Sequence, residues 1–429
     1  MRGARVFACI VLLASLTVFC GPTQAEQESR YLPFKRFSQV LELVEEYYVQ
    51  DVPRKELVED AIKGMLQQLD PHSTYLTADD FKEMQENTSG EFSGIGVEIT
   101  LDNGRLMVVS PIEDTPAFKA GLRSGDLILE INGEPTQDLS LLDAVRRIRG
   151  PKGEAVTLTI LHADSKKPER VEIVRGTIPL ISVKSHTLEE GYLLVRVTRF
   201  NENTTEELVK AVDEFDRKKL KGLVLDLRNN PGGLLDQAVS VSDLFLKDGL
   251  IVYIQGREEN NRKDFRAKDR NSDLNVPMVV LINSGSASAS EIVAGALQDH
   301  KRALLLGDTS FGKGSVQTII PLPDGAGIKL TTALYYTPSG RSIQAEGIRP
   351  DILHTFQPPR EEEEERERFI LRESNLTRHL ENNGDEKKSE TDGKDAKEDD
   401  RVAKMLSRDN QLRLGLELVK QLPNIKNLK

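Results

Sequence analysis

Three serines alternate with small residues at Ser286, Ser288 and Ser290, and Lys313 stands between Gly312 and Gly314. A hydroxyl nucleophile beside an amine base would suit acyl transfer, which also needs donors for the oxyanion that develops. The serines precede the helix-patterned segment Glu291–Asp299. A helix start leaves N–H groups unpaired and favours negative charge. The Ala289 N–H is a first candidate donor, and the glycine loop ending at Gly232 and Gly233 offers a second. Histidine is a poor candidate base. The nearest of the six, His300, lies 12 residues past Ser288, three helical turns away. A lysine acts as a base only when neutral, so its ordinary value of about 10.4 must fall by about 3 units, about 4 kcal/mol of environmental bias. No acidic residue lies between Thr309 and Leu322, and Gln317, four past Lys313, would orient an amine without adding charge. Against this stands a plain alternative: Ser288-x-x-Glu291 is a capping box. Residue chemistry by itself leaves all three serines open.

An α/β layer must position these groups. Gly222–Leu227 and Met278–Ile282 are short apolar runs of the kind buried on both faces of a parallel sheet. Tyr192–Val197, Thr318–Leu322 and Lys329–Tyr335 read as further strands, and Thr204–Lys218 and Leu234–Leu246 as helices. The stretch Gly256–Asn275 reads as an exposed polar loop. Ahead of this layer, residues 91–177 alternate strand-like segments with glycine turns around one helix, Ser140–Arg149. There the turn Gly94-Ile95-Gly96-Val97 could present backbone N–H groups to a carboxylate, with an adjoining strand edge for an extended peptide.

At the N-terminal side, residues 34–87 carry three helical patterns, expected to form a small packing or dimerisation arm. His72, in a turn without ligand-spaced partners, reads as structural. In the tail, Glu361–Glu365 is an acidic run and Asn382–Arg401 has the composition of a disordered segment. The last helix, Asn410–Leu422, aligns Leu412, Leu416 and Val419, a face expected to dock on the N-terminal arm or a partner chain.

The chain of 429 residues is 38% hydrophobic and 30% charged, and its net charge of −11 argues against nucleic acid as a partner. Residues 1–25 read as an export leader: Arg2 and Arg5, the apolar run Val6–Phe19, then Thr23-Gln24-Ala25. The expected location is the periplasm or cell envelope, with membrane association if the leader is retained. Both cysteines, Cys9 and Cys20, fall inside the leader.

Two resemblances sharpen this reading. Residues 91–177, through Gly94-Ile95-Gly96-Val97, Thr115-Pro116-Ala117, Ala120-Gly121-Leu122, Gly125-Asp126 and Asn132-Gly133, resemble a PDZ domain. The segment Asn283–Gln317, with LDPHSTYL, DLRNNPGG and YYTPSGRSIQ elsewhere, resembles the carboxy-terminal processing peptidases, tail-specific serine proteases. In that family serine and lysine stand 25 residues apart, and 313 − 288 = 25 selects Ser288. With the leader at 1–25 and the tail from 359 to 429 with its terminal helix read from composition and pattern, the resemblance implies a multidomain α+β protein: helical arm 26–90, PDZ domain 91–178 and crotonase/ClpP-like protease core 179–358. It implies that no metal or organic cofactor is needed. It implies Ser288 as nucleophile, Lys313 as general base and Gln317 as its holder, with Ala289 and Gly232 or Gly233 as oxyanion hole. The PDZ loop would bind protein substrates by their C-termini. A regulatory or adaptor protein, a homodimer through the terminal helices, and an arginine reporter at the domain junction (Arg149 or Arg175) complete the expectation. The rival reading is a non-catalytic PDZ scaffold or chaperone that binds C-termini, with Ser288 only a cap.

Overall fold

The computed structural model describes residues 24–102, 104–137, 139–162, 165–258, 260–269, 274–357 and 395–426. The leader reading therefore falls almost wholly outside the described residues, and the acidic run Glu361–Glu365 does so entirely. Two compact units are present, one running through Tyr75 with Ile328–Leu330, the other holding Leu76–Gly327 and everything from Thr331.

The smaller unit is built on α1 (Gln24–Tyr47) and α2 (Arg54–Gln67). Pro53, with φ −60° and ψ 135°, sets the extended entry to α2, and Arg54 pairs with Glu45 across the break. Along α1, Phe34, Phe37, Val40 and Tyr47 are exposed.

The larger unit begins with α3 (Ala78–Ser89), started by a Thr77–Asp80 capping box and ended by Gly90 at φ 75°. Sequence periodicity groups this helix with the N-terminal arm, but it belongs to the larger unit. Its C-terminal turn is tied to the α/β layer, where Glu202 N–H donates to the Thr88 carbonyl (3.1 Å) and Arg199 to Asn87 (3.1 Å).

The region that resembles a PDZ domain follows. β1 (Glu91–Gly94) pairs with β7 (Gly176–Pro179), and between them β2 (Val97–Asp102), β3 (Arg105–Pro111), β4 (Leu127–Ile131), β5 (Ala155–Leu161) and β6 (Glu169–Val174) form a sheet in the order β2-β3-β4-β5-β6. Alternate residues Val156, Leu158 and Ile160 of β5 face a core closed by α4 (Leu141–Ile148) through Ala144 and Ile148. β2 ends the sheet, so its outer edge has no paired strand among the described residues.

The α/β layer is a six-stranded sheet built from β8 (Val183–Glu189), β9 (Tyr192–Val197), β10 (Gly222–Asp226), β13 (Met278–Ile282), β14 (Leu304–Gly307) and β17 (Ile352–Leu353), in that order. Only β8 runs antiparallel. Every residue of β10 and β13 is buried, because both faces of the sheet are covered. On one face lie α5 (Thr204–Glu214), α6 (Leu235–Asp243) and α7 (Ala289–Asp299), with Leu208, Val241 and Val293 in one cluster with Leu225 and Val280. The other face meets α8 (Asp395–Arg408) and α9 (Asn410–Lys426). A second sheet carries β11 (Leu250–Gly256), β12 (Arg262–Arg266), β15 (Ser315–Pro321) and β16 (Gly327–Tyr336).

Two expectations are corrected here. The polar stretch 256–275 contains the strand β12, which pairs antiparallel with β11 and lays Arg262 over the Tyr253 ring at 3.8 Å. Charge on an exposed edge strand hid its alternation. The apolar face of the last helix, expected to meet the arm or a partner, is covered by the chain's own sheet: Leu412, Leu416 and Val419 are buried in one cluster with Val224, Leu281 and Leu306. The composition that suggested disorder up to residue 401 gives way at 395 to α8, whose Val402 joins the same cluster.

Candidate active site

β10, β13 and β14 are adjacent and parallel, so the loops that follow them leave the sheet at the same edge. The loop after β10 holds Gly232 and Gly233, the loop after β13 holds the serines, and the loop after β14 holds Lys313. Segments some 80 residues apart along the chain thus meet where strand C-termini of α/β sheets place their sites.

Within this cluster the three serines separate. Ser286 Oγ donates to the Leu227 carbonyl at 2.8 Å and accepts from Asn283 N–H at 3.0 Å. Ser290 Oγ donates to the Asn230 carbonyl at 3.0 Å. Both are fully buried and committed to holding the loops together. Ser288 is half-buried and sits at φ 54°, ψ −112°, a conformation that a residue with a side chain adopts only when its surroundings force it.

Glu291 is the organising anion. Its Oε2 accepts from Ser288 N–H (2.7 Å) and Lys313 N–H (3.0 Å), while Oε1 accepts from Ser310 Oγ (2.6 Å) and Gly312 N–H (2.7 Å). Burial pushes this carboxyl above its usual range, and the four donors offset part of that rise. The capping pattern Ser288-x-x-Glu291 therefore marks a real contact, but the carboxylate does much more than cap. It joins the serine loop to the lysine loop. A stretch of sequence free of acidic residues around Lys313 is consequently not a region free of carboxylate in space.

The glycine loop closes on the serine from the other side. A Cβ on Gly232 would lie 2.8 Å from Ser288 Cβ and 2.9 Å from Ala289 N, and one on Gly233 only 2.0 Å from the Phe200 carbonyl oxygen. Side chains are excluded at both positions. Gly232 N–H, however, donates to Asn230 Oδ1 at 2.9 Å, so of the two glycine donors expected here Gly232 is already engaged and Gly233 remains the candidate. Asn230 also accepts from Ala287 N–H at 3.0 Å, which pins the serine turn to the glycine turn. Gln317 lies two residues into β15, just past Lys313. Its Nε2 donates to Ser315 Oγ (2.9 Å) and Thr331 Oγ1 (3.3 Å), which leaves its carbonyl oxygen as the acceptor end.

Sequence reasoning missed Asn230, Arg228 and Asp409. Beneath the glycine loop Arg228 is held by both oxygens of Asp226 (2.9 and 2.8 Å) and both of Asp409 (3.0 and 2.7 Å). Burial would lower the guanidinium's affinity for its proton, but the two carboxylates outweigh it and the net shift is upward. Asp409 also accepts from Leu412 N–H (2.9 Å) at the start of α9, so the tail helix is wired to the loop it underlies. Nothing in the local pattern could announce a pair 181 residues apart.

In the region that resembles a PDZ domain, Gly94 closes β1 opposite Gly176 and Val97 opens β2, so only Ile95 and Gly96 form the turn proper. Their carbonyls are tied inward, Ile95 to Ala117 N–H (2.7 Å) and Gly96 to Ile112 N–H (2.9 Å) and Thr115 Oγ1 (3.0 Å). Arg175 is buried within the domain, donating to the carbonyls of Ile148, Ala155 and Arg147. Arg149 instead lies over the Phe92 ring at 4.6 Å and faces Glu86 of α3 at 3.7 Å.

A mostly parallel sheet whose adjacent loops converge on a strained serine, glycine turns and a helix start defines a serine-type hydrolase. Comparison with known proteins places it. The profile of peptidase family S41 matches residues 191–354, a PDZ-domain profile matches 107–161, and the profile of the activating protease CtpB N-terminal domain matches 19–80. A carboxy-terminal-processing protease of Bartonella bacilliformis is 48% identical over 379 residues, covering 87% of this chain and 86% of its own. The carboxy-terminal processing protease CtpB of Bacillus subtilis is 38% identical over 358 residues, 82% of this chain and 74% of its own. A solved photosystem II D1 C-terminal processing protease aligns at 30% identity and a TM-score of 0.43, over 74% of this chain and 92% of that one. The chain belongs to peptidase family S41, the carboxy-terminal processing proteases, and is a serine-type peptidase with a PDZ domain. This sets aside the non-catalytic scaffold reading.

Proposed function

We propose that the protein is an endopeptidase that captures the C-terminus of a protein substrate on its PDZ domain and cuts it with Ser288 and Lys313. The observation that carries this reading is the shared Glu291 carboxylate, which accepts from the backbone N–H of both residues and so fixes nucleophile and base to one anchor. Ser288 Oγ attacks the scissile carbonyl carbon as the Lys313 amine takes its proton. The oxyanion is received by the Ala289 N–H at the start of α7 and by Gly233 N–H. Collapse expels the amine, which takes the proton back from Lys313. Water then repeats the sequence on the acyl-enzyme. Gln317, braced by Ser315 and Thr331, presents its carbonyl oxygen to the lysine. No cofactor or metal enters these steps.

Substrate capture rests on the unpaired edge of β2 and the turn at Ile95 and Gly96, flanked by Gly94 and Val97, beside α4 with its exposed Leu142. An extended peptide would add to that edge while the turn receives its carboxylate. The test is a reporter protein with an unstructured tail, prepared with a free and an amidated C-terminus. Amidation should raise KM at least about tenfold with little change in kcat, since one charge-assisted contact is worth about 1.5–3 kcal/mol. Equal KM for both forms would reject the capture role.

The same reading extends to partners and place. The exposed apolar residues Phe34, Phe37, Val40 and Tyr47 of α1 suit a second copy of the chain, so the homodimer forms through the first helices and not the last. Sedimentation equilibrium should show a dimer that Phe37→Glu converts to monomers, and a monomeric wild type would refute it. A regulatory protein acting on the PDZ domain or the arm fits the same surfaces. The leader-like composition of residues 1–25 supports export and substrates in the envelope. N-terminal sequencing of the mature chain checks this, with a start at Glu26 expected and an intact Met1 contradicting it.

A further inference from the structure

Tyr335 presents a buried hydroxyl that the fold does not use. It is 1% exposed, on β16, with its N–H donating to the Gly314 carbonyl at 2.9 Å, one residue from Lys313. Its Oη has no hydrogen-bond partner, a state shared among the described residues only by Ser93 Oγ. Leaving a buried hydroxyl unpaired costs about 1–3 kcal/mol. The Glu291 charge and the Ser288 side chain both act on that phenol, although the contact with Ser288 falls short of hydrogen-bond geometry. Burial first, and then the Glu291 charge, hold the phenol protonated far beyond its ordinary range. A donor that keeps its proton, lacks a partner and faces the reactive serine is poised for an oxygen that becomes negative only during reaction.

We propose that Tyr335 is a further catalytic residue, whose phenol O–H donates a hydrogen bond to Ser288 Oγ when that oxygen leaves the acyl-enzyme. This rests on Ser288 being the nucleophile. In deacylation, water adds to the acyl carbon as Lys313 takes its proton. The tetrahedral intermediate then collapses, the bond from carbon to Oγ breaks, and Lys313 returns the proton to Oγ. Charge builds on Oγ before that proton arrives, and the Tyr335 O–H stabilises it while keeping its own hydrogen.

The test is Tyr335→Phe, which removes one oxygen that has no bond to lose. Its Tm should equal or exceed the wild-type value. With the tailed reporter, kcat should fall at least about tenfold at unchanged KM, and intact-mass spectra taken during turnover should show an acyl-enzyme adduct that the wild type does not accumulate. Wild-type kcat in Tyr335→Phe, a loss that tracks a fallen Tm, or a loss without the adduct would each overturn the assignment. Ser288→Ala, run alongside, separates the two readings: cleavage by that variant refutes the nucleophile itself, whereas an inactive Ser288→Ala beside a fully active Tyr335→Phe refutes only the tyrosine.

Discussion

Replacing Lys313 with alanine should lower kcat/KM for a tailed protein substrate by at least about a thousandfold, within the range a positioned general base supplies. Thermal stability should change little, because the loop is held through the Lys313 N–H, which alanine retains, and through Gly312, Ser310 and the Glu291 carboxylate. Arginine at 313 should be as inactive as alanine, since a guanidinium does not release its proton near neutrality. Peptide binding to the PDZ domain should be intact in both variants. Activity of Lys313→Ala within tenfold of wild type would mean that some other group takes the serine proton.

Glu291→Gln should be nearly as damaging, by a different route. The carboxylate accepts from four donors, two on each oxygen. An amide offers one accepting oxygen and sets an NH2 against the other two donors. Two orphaned buried donors cost about 2–6 kcal/mol in total, so a lower Tm is expected. The loops carrying Ser288 and Lys313 lose their common anchor, and kcat should fall about a hundredfold, the order reported for small misplacements of reacting groups. KM should move less, because the PDZ surface is untouched. Measuring kcat, KM and Tm together checks the claim. A variant with lowered Tm but wild-type kcat would show that Glu291 holds the fold and not the geometry of the reaction.

These two residues mark where the sequence could and could not be read. The serine cluster, Lys313 and the glycine turn stood out because glycine flanks and a helix start carry their own physical reasons, whereas only the family's 25-residue spacing chose Ser288 among the three serines. β10 and β13 were legible as short apolar runs of the kind a covered parallel sheet accommodates. Glu291 was visible as a cap, since a capping box is local, but its bonds to Ser310, Gly312 and Lys313 depend on a return of the chain some 20 residues later. Arg228 with Asp409 is the extreme case: a buried ion cluster under the glycine loop whose second carboxylate arrives on the tail helix. The tail itself was misjudged because Leu412, Leu416 and Val419 announce an apolar face without saying which surface will cover it. Edge strand β12 was hidden by charge, the usual composition of a strand that must not pair further.

The central claim, that Ser288 performs the cut, is tested most directly by following a tailed reporter by intact mass with wild type and with Ser288→Ala. Wild type should shorten or degrade the reporter from its tail. Ser288→Ala should leave every reporter molecule whole while still retaining it through its free C-terminus in a pull-down. Reporter cut by Ser288→Ala at a rate comparable to wild type would contradict the account.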